Sequence, residues 1–192
     1  MDAHLLVAAH GAALLAVARA AIRHGVQTGD VLSLNPDTYP IALQQPGATF
    51  VTLKIDGVLR GCIGRITPTR AVVEDVAANA FAAAFEDPRF GPLTAEELPG
   101  LTASIAVLGT PAPMAFASEA DLLSQLRPGV DGLILNAGHR RALFLPSVWE
   151  TLPDPESFLG HLKHKAGLAW SWWSPNAEVE RFETAATSAE AV

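Results

Sequence analysis

A predicted β-hairpin in the first half of the chain limits the possible folds more than any other feature. Apolar side chains alternate with other residues along its first strand, at Val51, Leu53 and Ile55, and the pair Asp56-Gly57 is typical of a tight type I′ turn. The returning strand carries residues 59–64 (LRGCIG), which contain the single cysteine of the chain. We therefore expect an antiparallel sheet with this stretch on one of its strands.

Four residues of the LRGCIG stretch form a candidate site. Side chains two apart on a strand share a face, so Arg60 and Cys62 are expected to project together beside the bare Cα of Gly64. A neighbouring cation favours the thiolate, which is the form of cysteine that attacks electrophiles. Glycines such as Gly61 and Gly64 let a ligand or another backbone approach closely. If the site is catalytic, Cys62 is the predicted nucleophile and Arg60 the group that stabilises its thiolate.

The same cysteine also has a purely structural interpretation. Unpaired cysteine is among the most often buried residue types and usually behaves as a small hydrophobic residue. Spacing alone favours this second interpretation for Cys62. With one cysteine, the chain cannot form an internal disulfide or a zinc site made of cysteines, which suits a reducing cytosol.

Charge and hydropathy exclude several classes of function. A net charge of -7 and a pI near 5.3 oppose non-specific binding to nucleic acids or to anionic membranes, because both require a basic surface. The apolar residues 5–21 lack the basic start of a signal peptide, since Asp2 and His4 precede them. His10, Gly11 and Arg19 interrupt a membrane span. We expect an amphipathic first helix in a cytoplasmic protein.

The remaining pattern indicates an α+β fold with mostly antiparallel sheet and flanking helices. Helices are predicted over 3–24 with a stop at Gly25, over 68–86 with Thr67 as N-cap, over 119–126, and from Asp154 to Gly167. Strands are predicted over 101–108 and 178–184, with a second hairpin over 132–145. The small residues 185–192 are predicted to be a disordered tail.

Outside the hairpin, two groups of residues are weaker candidates. Arg89 follows the helix stop Asp87-Pro88, where it can pair with Glu86 or Asp87 or bind an anionic substrate, and the pairing is favoured. His161 and His164 are three apart on a helix, but no third metal ligand is evident, so neither a metal nor another cofactor is predicted. The adjacent lysines and tryptophans also allow RNA binding, although packing is favoured.

The order of four short stretches resembles that of the AMMECR domain family, whose bacterial members are labelled AmmeMemoRadiSam system protein A. These stretches are residues 59–64, 83–90, 131–134 and 143–146. The resemblance implies one AMMECR-type domain over residues 1–192, with a core at about 5–184, built as two subdomains with the cysteine motif near a cleft between them. In bacteria it also implies a setting beside a Memo-like protein and a radical SAM enzyme.

Together these observations give a leading hypothesis and two alternatives. The leading hypothesis is a protein whose cleft, lined by Arg60, Cys62 and Gly64 with Arg89 nearby, binds or transforms a small anionic or electrophilic substrate. In the first alternative the protein is a non-catalytic adaptor that docks partner proteins, and Gly61, Gly64 and Cys62 serve close packing between lobes. RNA binding through the tryptophan-rich region is the second alternative.

Overall fold

A computed structural model describes residues 1–187 and 190–192. The chain folds as α+β, with antiparallel sheets and flanking helices, as the sequence pattern predicted. It divides into two compact units. Unit 1 comprises Met1–Leu108 together with Ala185–Val192, and unit 2 comprises Gly109–Thr184.

The first stretch of unit 1, Met1–Leu108, contains three α-helices and four β-strands. They are α1 (Ala3–Thr28), α2 (Ile41–Gln44), β1 (Pro46–Ile55), β2 (Val58–Gly64), β3 (Arg70–Ala71), α3 (Val72–Phe85) and β4 (Leu101–Leu108). Unit 2 follows with β5 (Ala112–Pro113), α4 (Glu119–Gln125), β6 (Gly132–Ala137), β7 (Arg140–Phe144), α5 (Pro155–Lys165) and β8 (Glu178–Phe182). The last strands are β9 (Thr184–Ala186) and β10 (Glu190–Ala191).

The sheet of unit 1 places the LRGCIG stretch on an edge strand. Its order is β10-β4-β1-β2, with β3 paired to β1 and β9 paired to β4. The β1–β2 hairpin turns at Asp56 and Gly57, both with positive φ, which confirms the predicted type of turn. A register shift between Leu53 and Lys54 leaves Arg60 without a partner, so this residue forms a β-bulge.

Two long helices bury the apolar face of this sheet. Apolar residues of β1 and β4 pack with residues of α1 and α3 in one core, which includes Val51, Leu53, Ile105, Leu14, Ile22, Val76 and Ala80. The predicted end of the first helix at Gly25 was wrong, because α1 continues to Thr28 and ends at Gly29 with φ 79°. Gly25 instead lets the helix approach the ring of Phe85, 2.4 Å from where a Cβ would lie.

The second predicted helix begins later than expected. Thr67 and Pro68 were predicted to open it, but α3 begins at Val72 with Ala71 as its N-cap. Arg70 and Ala71 pair with the start of β1, so the chain is extended there, and Glu74 accepts a hydrogen bond from the Ala71 N–H at 3.2 Å. The predicted end was confirmed within two residues, since α3 ends at Phe85.

The sheet of unit 2 has the order β5-β8-β6-β7, and its neighbouring strands pair antiparallel. The predicted hairpin over 132–145 was confirmed, and it turns at Gly138 with φ 64°. The predicted starts of α4 and α5 were confirmed. Ser118 and Asp154 cap these helices, because each side chain accepts a hydrogen bond from a backbone N–H three residues later. Phe158 of α5 stacks on Trp149, with ring centroids 3.8 Å apart.

The predicted disorder of residues 185–192 was wrong for the described part of that segment. Thr187 donates its N–H to Ile105 O at 2.9 Å, and Val192 donates its N–H to Leu101 O at 3.0 Å. Ala185 and Val192 are buried in the core of unit 1. The sequence did not indicate this packing, because the segment consists mainly of small residues. Residues 188 and 189 lie outside the described residues.

Within the described part of the chain, α1 is the one helix long and apolar enough to cross a membrane. This helix contacts α3 and β4, and Leu14, Ala18 and Ile22 on its inner side are fully buried. This helix is therefore part of the core of unit 1.

Candidate functional site

Cys62 lies on the outer strand of the unit 1 sheet, opposite Thr52 of β1. Its Sγ is 3.3 Å from Thr52 Oγ1, and the residue is half-buried. One side of β2 is hydrogen-bonded to β1, so the backbone groups of Cys62 that face outward need partners from elsewhere.

The side chains of Asp87 and Arg89 provide those partners. Asp87 Oδ2 accepts a hydrogen bond from the Cys62 N–H at 2.9 Å, and Arg89 Nη2 donates to the Cys62 carbonyl at 3.4 Å. Arg89 also binds Asp87 through two nitrogens, with Nε–Oδ1 at 2.9 Å and Nη2–Oδ2 at 2.7 Å. The Asp87–Arg89 pair therefore takes the place of a neighbouring strand beside Cys62.

This pair differs sharply in the exposure of its two side chains. Asp87 has 2% of its side chain exposed, whereas Arg89 has 53% exposed. The Arg89 hydrogen bonds, with that from the Cys62 N–H, hold the pKa of the Asp87 carboxyl far below its usual range. The same contact raises the pKa of Arg89, and charge interaction with Cys62 acts in the same direction. A permanently charged, half-exposed guanidinium thus contacts the Cys62 carbonyl and interacts electrostatically with the cysteine side chain.

Arg60, which the sequence placed beside the thiol, binds Glu97 instead. Its Nε donates to Glu97 Oε1 at 2.7 Å, and its Nη2 donates to Glu97 Oε2 at 3.1 Å and to Gly91 O at 2.9 Å. The bulge at Arg60 breaks the strict alternation of side chains on which the expectation depended. The ion pair lowers the pKa of Glu97. Arg89 is thus the guanidinium in contact with Cys62.

Both glycines of the stretch are packed against other protein atoms. A Cβ on Gly61 would lie 2.0 Å from the carbonyl oxygen of Ala83 in α3. A Cβ on Gly64 would lie 2.2 Å from the ring of Phe50. Close approach of protein backbone and side chains within unit 1 therefore accounts for both glycines.

Thr52 beside the thiol and Glu97 beside Arg60 were missed from the sequence, and Asp87 was predicted as a partner of Arg89 but not as an acceptor for the Cys62 N–H. A two-residue turn without a bulge would have paired Thr52 with Gly61, so the bulge is what brings Thr52 opposite Cys62. Asp87 was also interpreted as a helix stop, and Asp-x-Arg is a spacing at which a carboxylate and a guanidinium can pair. No local signal linked Glu97 to Arg60, 37 residues earlier.

The basic and tryptophan-rich residues near the end of α5 are engaged in packing within unit 2. Lys163 is buried, forms an ion pair with Glu119 and donates to Trp170 O at 3.1 Å. Lys165 donates to Leu143 O at 3.0 Å. His161 makes an edge contact with Trp170. The cations needed for the RNA alternative are thus largely used for structure.

Comparison with known proteins gives the family. The family model AMMECR1 matches residues 15–187, which include the LRGCIG stretch and the Asp87–Arg89 pair. The chain belongs to the AMMECR1 family. This AMMECR1-family chain is 39% identical over 175 residues to a protein of Methanothermobacter thermautotrophicus, covering 90% of the chain and 91% of the relative. A protein of Thermofilum pendens is 36% identical over 194 residues, with 93% and 89% covered.

A solved structure supports the same family assignment. The crystal structure titled uncharacterized protein PH0010 from Pyrococcus horikoshii is similar to this AMMECR1-family chain with a TM-score of 0.76 and 33% identity. The similarity covers 90% of this chain and 88% of the other. The resemblance stated from the sequence motifs is thereby confirmed.

Proposed function

We propose that this AMMECR1-family protein binds a small anionic, electrophilic ligand at Cys62, Thr52 and Arg89. The observation that carries the proposal is the incomplete use of Arg89. Its Nε and Nη2 are bound to Asp87 and to the Cys62 carbonyl, whereas Nη1 makes no hydrogen bond within the described residues. A half-exposed guanidinium with a free donor beside a thiol is suited to hold an anion next to the sulfur.

The chemistry of this site follows from its three side chains. Arg89 supplies a fixed positive charge, Thr52 Oγ1 is within hydrogen-bond distance of Cys62 Sγ, and Cys62 supplies the nucleophile. In a reaction with an electrophilic carbon, an S–C bond forms, the leaving group departs with its electron pair, and the thiol proton passes to solvent. Arg60 has an indirect role in the proposed site, because its ion pair with Glu97 holds the strand that carries Cys62.

The proposed setting is the cytoplasm, beside the Memo-like protein and the radical SAM enzyme that the bacterial family resemblance implies. A single cysteine supports a reducing compartment. A net charge of -7 opposes nucleic acids and anionic membranes as ligands, so the proposal includes neither. The chemistry of the partner proteins is not needed for the site itself, which consists of residues from one unit.

Alkylation of Cys62 by two reagents of different charge tests the proposal. Iodoacetate and iodoacetamide react by the same displacement of iodide, but only iodoacetate carries a negative charge. We expect R89Q to lower the ratio of the iodoacetate rate to the iodoacetamide rate several-fold, because a unit charge a few ångströms away contributes about 1 kcal/mol or more at a surface. Taking the ratio cancels changes in the exposure of the sulfur.

Two variants serve as controls for that measurement. R89K keeps the charge and should retain most of the ratio, whereas R127Q removes a similar half-exposed arginine from unit 2 and should not change it. A thiol that reacts with neither reagent in the folded protein would contradict the proposal. So would a ratio that is the same in the wild type and in R89Q.

A second candidate function, partner docking, is favoured by the tip of the β1–β2 hairpin. Val58 has 70% of its surface exposed and Leu59 has 37%, although both are large apolar residues on an edge strand. Apolar residues at an exposed strand edge are a recurrent element of protein interfaces. Co-sedimentation with the Memo-like protein of the same genome tests this function. V58S should weaken the complex if the hairpin tip docks there, and Val31→Ser, another exposed valine of the same unit, should not.

A further inference from the structure

A small groove in unit 1, remote in sequence from Cys62, carries two opposite charges. Its volume is about 230 Å³. It lies between the segment that follows α1 and the first turns of α3. Its walls include Leu32, Leu34, Ala77 and Ala78, with Arg70 and Glu74 as the charged groups. The groove is smaller than the 300–1,000 Å³ typical of drug-sized ligand sites, so its ligand must be small.

The two charges line the same groove without neutralising each other. Within the described residues, Arg70 forms an ion pair with Asp75 and Glu74 accepts the Ala71 N–H, but no ion pair joins Arg70 to Glu74. Neither Nη1 nor Nη2 of Arg70 has a hydrogen-bond partner in that part of the chain. Oε1 of Glu74 likewise has none there. Each side chain therefore keeps a free polar end.

A buried carboxylate behind Arg70 fixes the direction of the guanidinium. Asp75 has 1% of its side chain exposed, and its Oδ2 accepts hydrogen bonds from Thr49 and Asn79. Its Oδ1 has no hydrogen-bond partner in the described structure and lies 3.6 Å from Arg70 Nε. Because Nε faces Asp75, the two terminal nitrogens of Arg70 are left for another anion.

We propose that this groove binds a free α-amino acid with an aliphatic side chain. The ligand carboxylate would bind the terminal nitrogens of Arg70, and its ammonium group would bind the free Oε1 of Glu74. The aliphatic side chain would lie against Leu32, Leu34 and Ala77. A zwitterion satisfies both unpaired ends at once, which a simple anion or cation cannot do.

Titration of the full chain with L-leucine tests this site. Binding is measured by calorimetry and by the NMR shifts of the backbone amides of residues 31–34 and 77–78. Leucinamide lacks the carboxylate, and 4-methylpentanoate lacks the ammonium group. We expect both analogues to bind at least about tenfold more weakly than leucine, since each loses a hydrogen-bonded charge pair. The leucine shifts should be confined to the groove.

Variants of the groove locate the effect. E74Q keeps the acceptor for the Ala71 N–H, so it should fold normally while losing about tenfold in leucine affinity and the preference over 4-methylpentanoate. A78L fills the groove without changing a charge and should abolish binding. E86Q removes an exposed acid at the other end of α3 and should bind leucine as the wild type does.

Three results would overturn the proposal. The first is the absence of heat and of amide shifts up to the solubility limit of leucine. The second is equal affinity for leucine and its two analogues, and the third is undiminished binding by A78L. Because these measurements do not involve Cys62, their failure would leave the proposed thiol site unaffected.

Discussion

Each unit of the protein contains a buried aspartate bound by a half-exposed arginine, and the two pairs differ in the number of carboxylates that bind the arginine. In unit 1, Asp87 is bound by Arg89; in unit 2, Asp131 is bound by Arg127. The aspartates have 2% and 0% of their side chains exposed, and the arginines 53% and 47%. Each carboxylate also accepts a backbone N–H, from Cys62 and from Arg127 respectively.

Arg127 binds two carboxylates, whereas Arg89 binds one. Arg127 binds Glu183 at 2.7 Å in addition to Asp131, and these hydrogen bonds raise its pKa. Arg89 has one carboxylate and reaches a backbone carbonyl next to a thiol. The charge of Arg127 is therefore balanced by two carboxylates in unit 2, whereas the charge of Arg89 is balanced by one in unit 1. This difference agrees with the proposed ligand site at Arg89. The following predictions test this difference, from the largest expected effect to the smallest.

Removal of the Asp131 side chain should have the largest effect on stability. D131A leaves the Arg127 N–H without its acceptor and breaks a buried charge pair, so we expect a loss of about 3 kcal/mol in the free energy of unfolding. All four tryptophans lie in unit 2, so tryptophan fluorescence in urea reports on it. E150A, at an exposed acid of the same unit, should change stability by less than about 0.5 kcal/mol. A D131A midpoint equal to that of E150A would contradict the structural role.

A glycine beside each site gives the next comparison. A Cβ on Gly61 would meet the Ala83 carbonyl at 2.0 Å, whereas one on Gly132 would meet the ring of Phe182 at 2.5 Å. Backbone cannot move aside as a ring can, so G61A should cost about 2–3 kcal/mol and G132A about 1 kcal/mol. Urea denaturation followed by circular dichroism measures both. G91A, with open space around its Cβ, is the control, and a G61A protein as stable as G91A would contradict the packing.

Acid should reduce the contribution of Asp87 in a defined direction. Its folded pKa lies below the unfolded value of about 3.9, so its stabilisation is present above that pH and is lost as the pH falls through the folded pKa. D87N should therefore be less stable than the wild type at pH 7, and the difference should shrink below about pH 4. Urea midpoints at several pH values measure it. A difference that stays constant down to about pH 3 would show that the carboxylate charge is not the cause.

The smallest expected effect is on hydrogen exchange at the edge of β2. R89Q removes the group that holds Asp87 against the Cys62 N–H, so the exchange rate of that amide should rise about fivefold, which corresponds to about 1 kcal/mol. R127Q should leave this amide unchanged while speeding exchange at its own backbone N–H. Equal rates at Cys62 in the wild type and R89Q would mean that Asp87 holds the strand edge unaided.

Local patterns predicted most of the fold, and the misses have physical causes. The Asp56-Gly57 turn, the strand Leu101–Leu108 and the N-cap at Asp154 all depend on short-range geometry, which sequence shows directly. The start of α3 was wrong because Arg70–Ala71 pairs with β1, a contact between distant segments. The last residues were wrong for the same reason, since β4 supplies their partner.

The candidate site was predicted in part. Cys62 and Arg89 were named from the sequence, and pairing of Arg89 with Glu86 or Asp87 was favoured over substrate binding; the structure shows Asp87 as the partner. Thr52 was not expected opposite Cys62, because a single bulge at Arg60 moves the register of every later pair on the strand. The groove at Arg70 was not foreseen, since its walls come from separate segments.

Unit 1 is assembled from two stretches that the whole of unit 2 separates along the chain. Its central strand β4 receives hydrogen bonds from Thr187 and Val192, which lie more than 75 residues later than Leu108. A ribosome therefore releases the contiguous unit 2 before it releases these last partners of β4. We infer that unit 1 completes its sheet only after the whole of unit 2 has been synthesised, so the nascent chain passes through a stage in which one edge of β4 is unpaired.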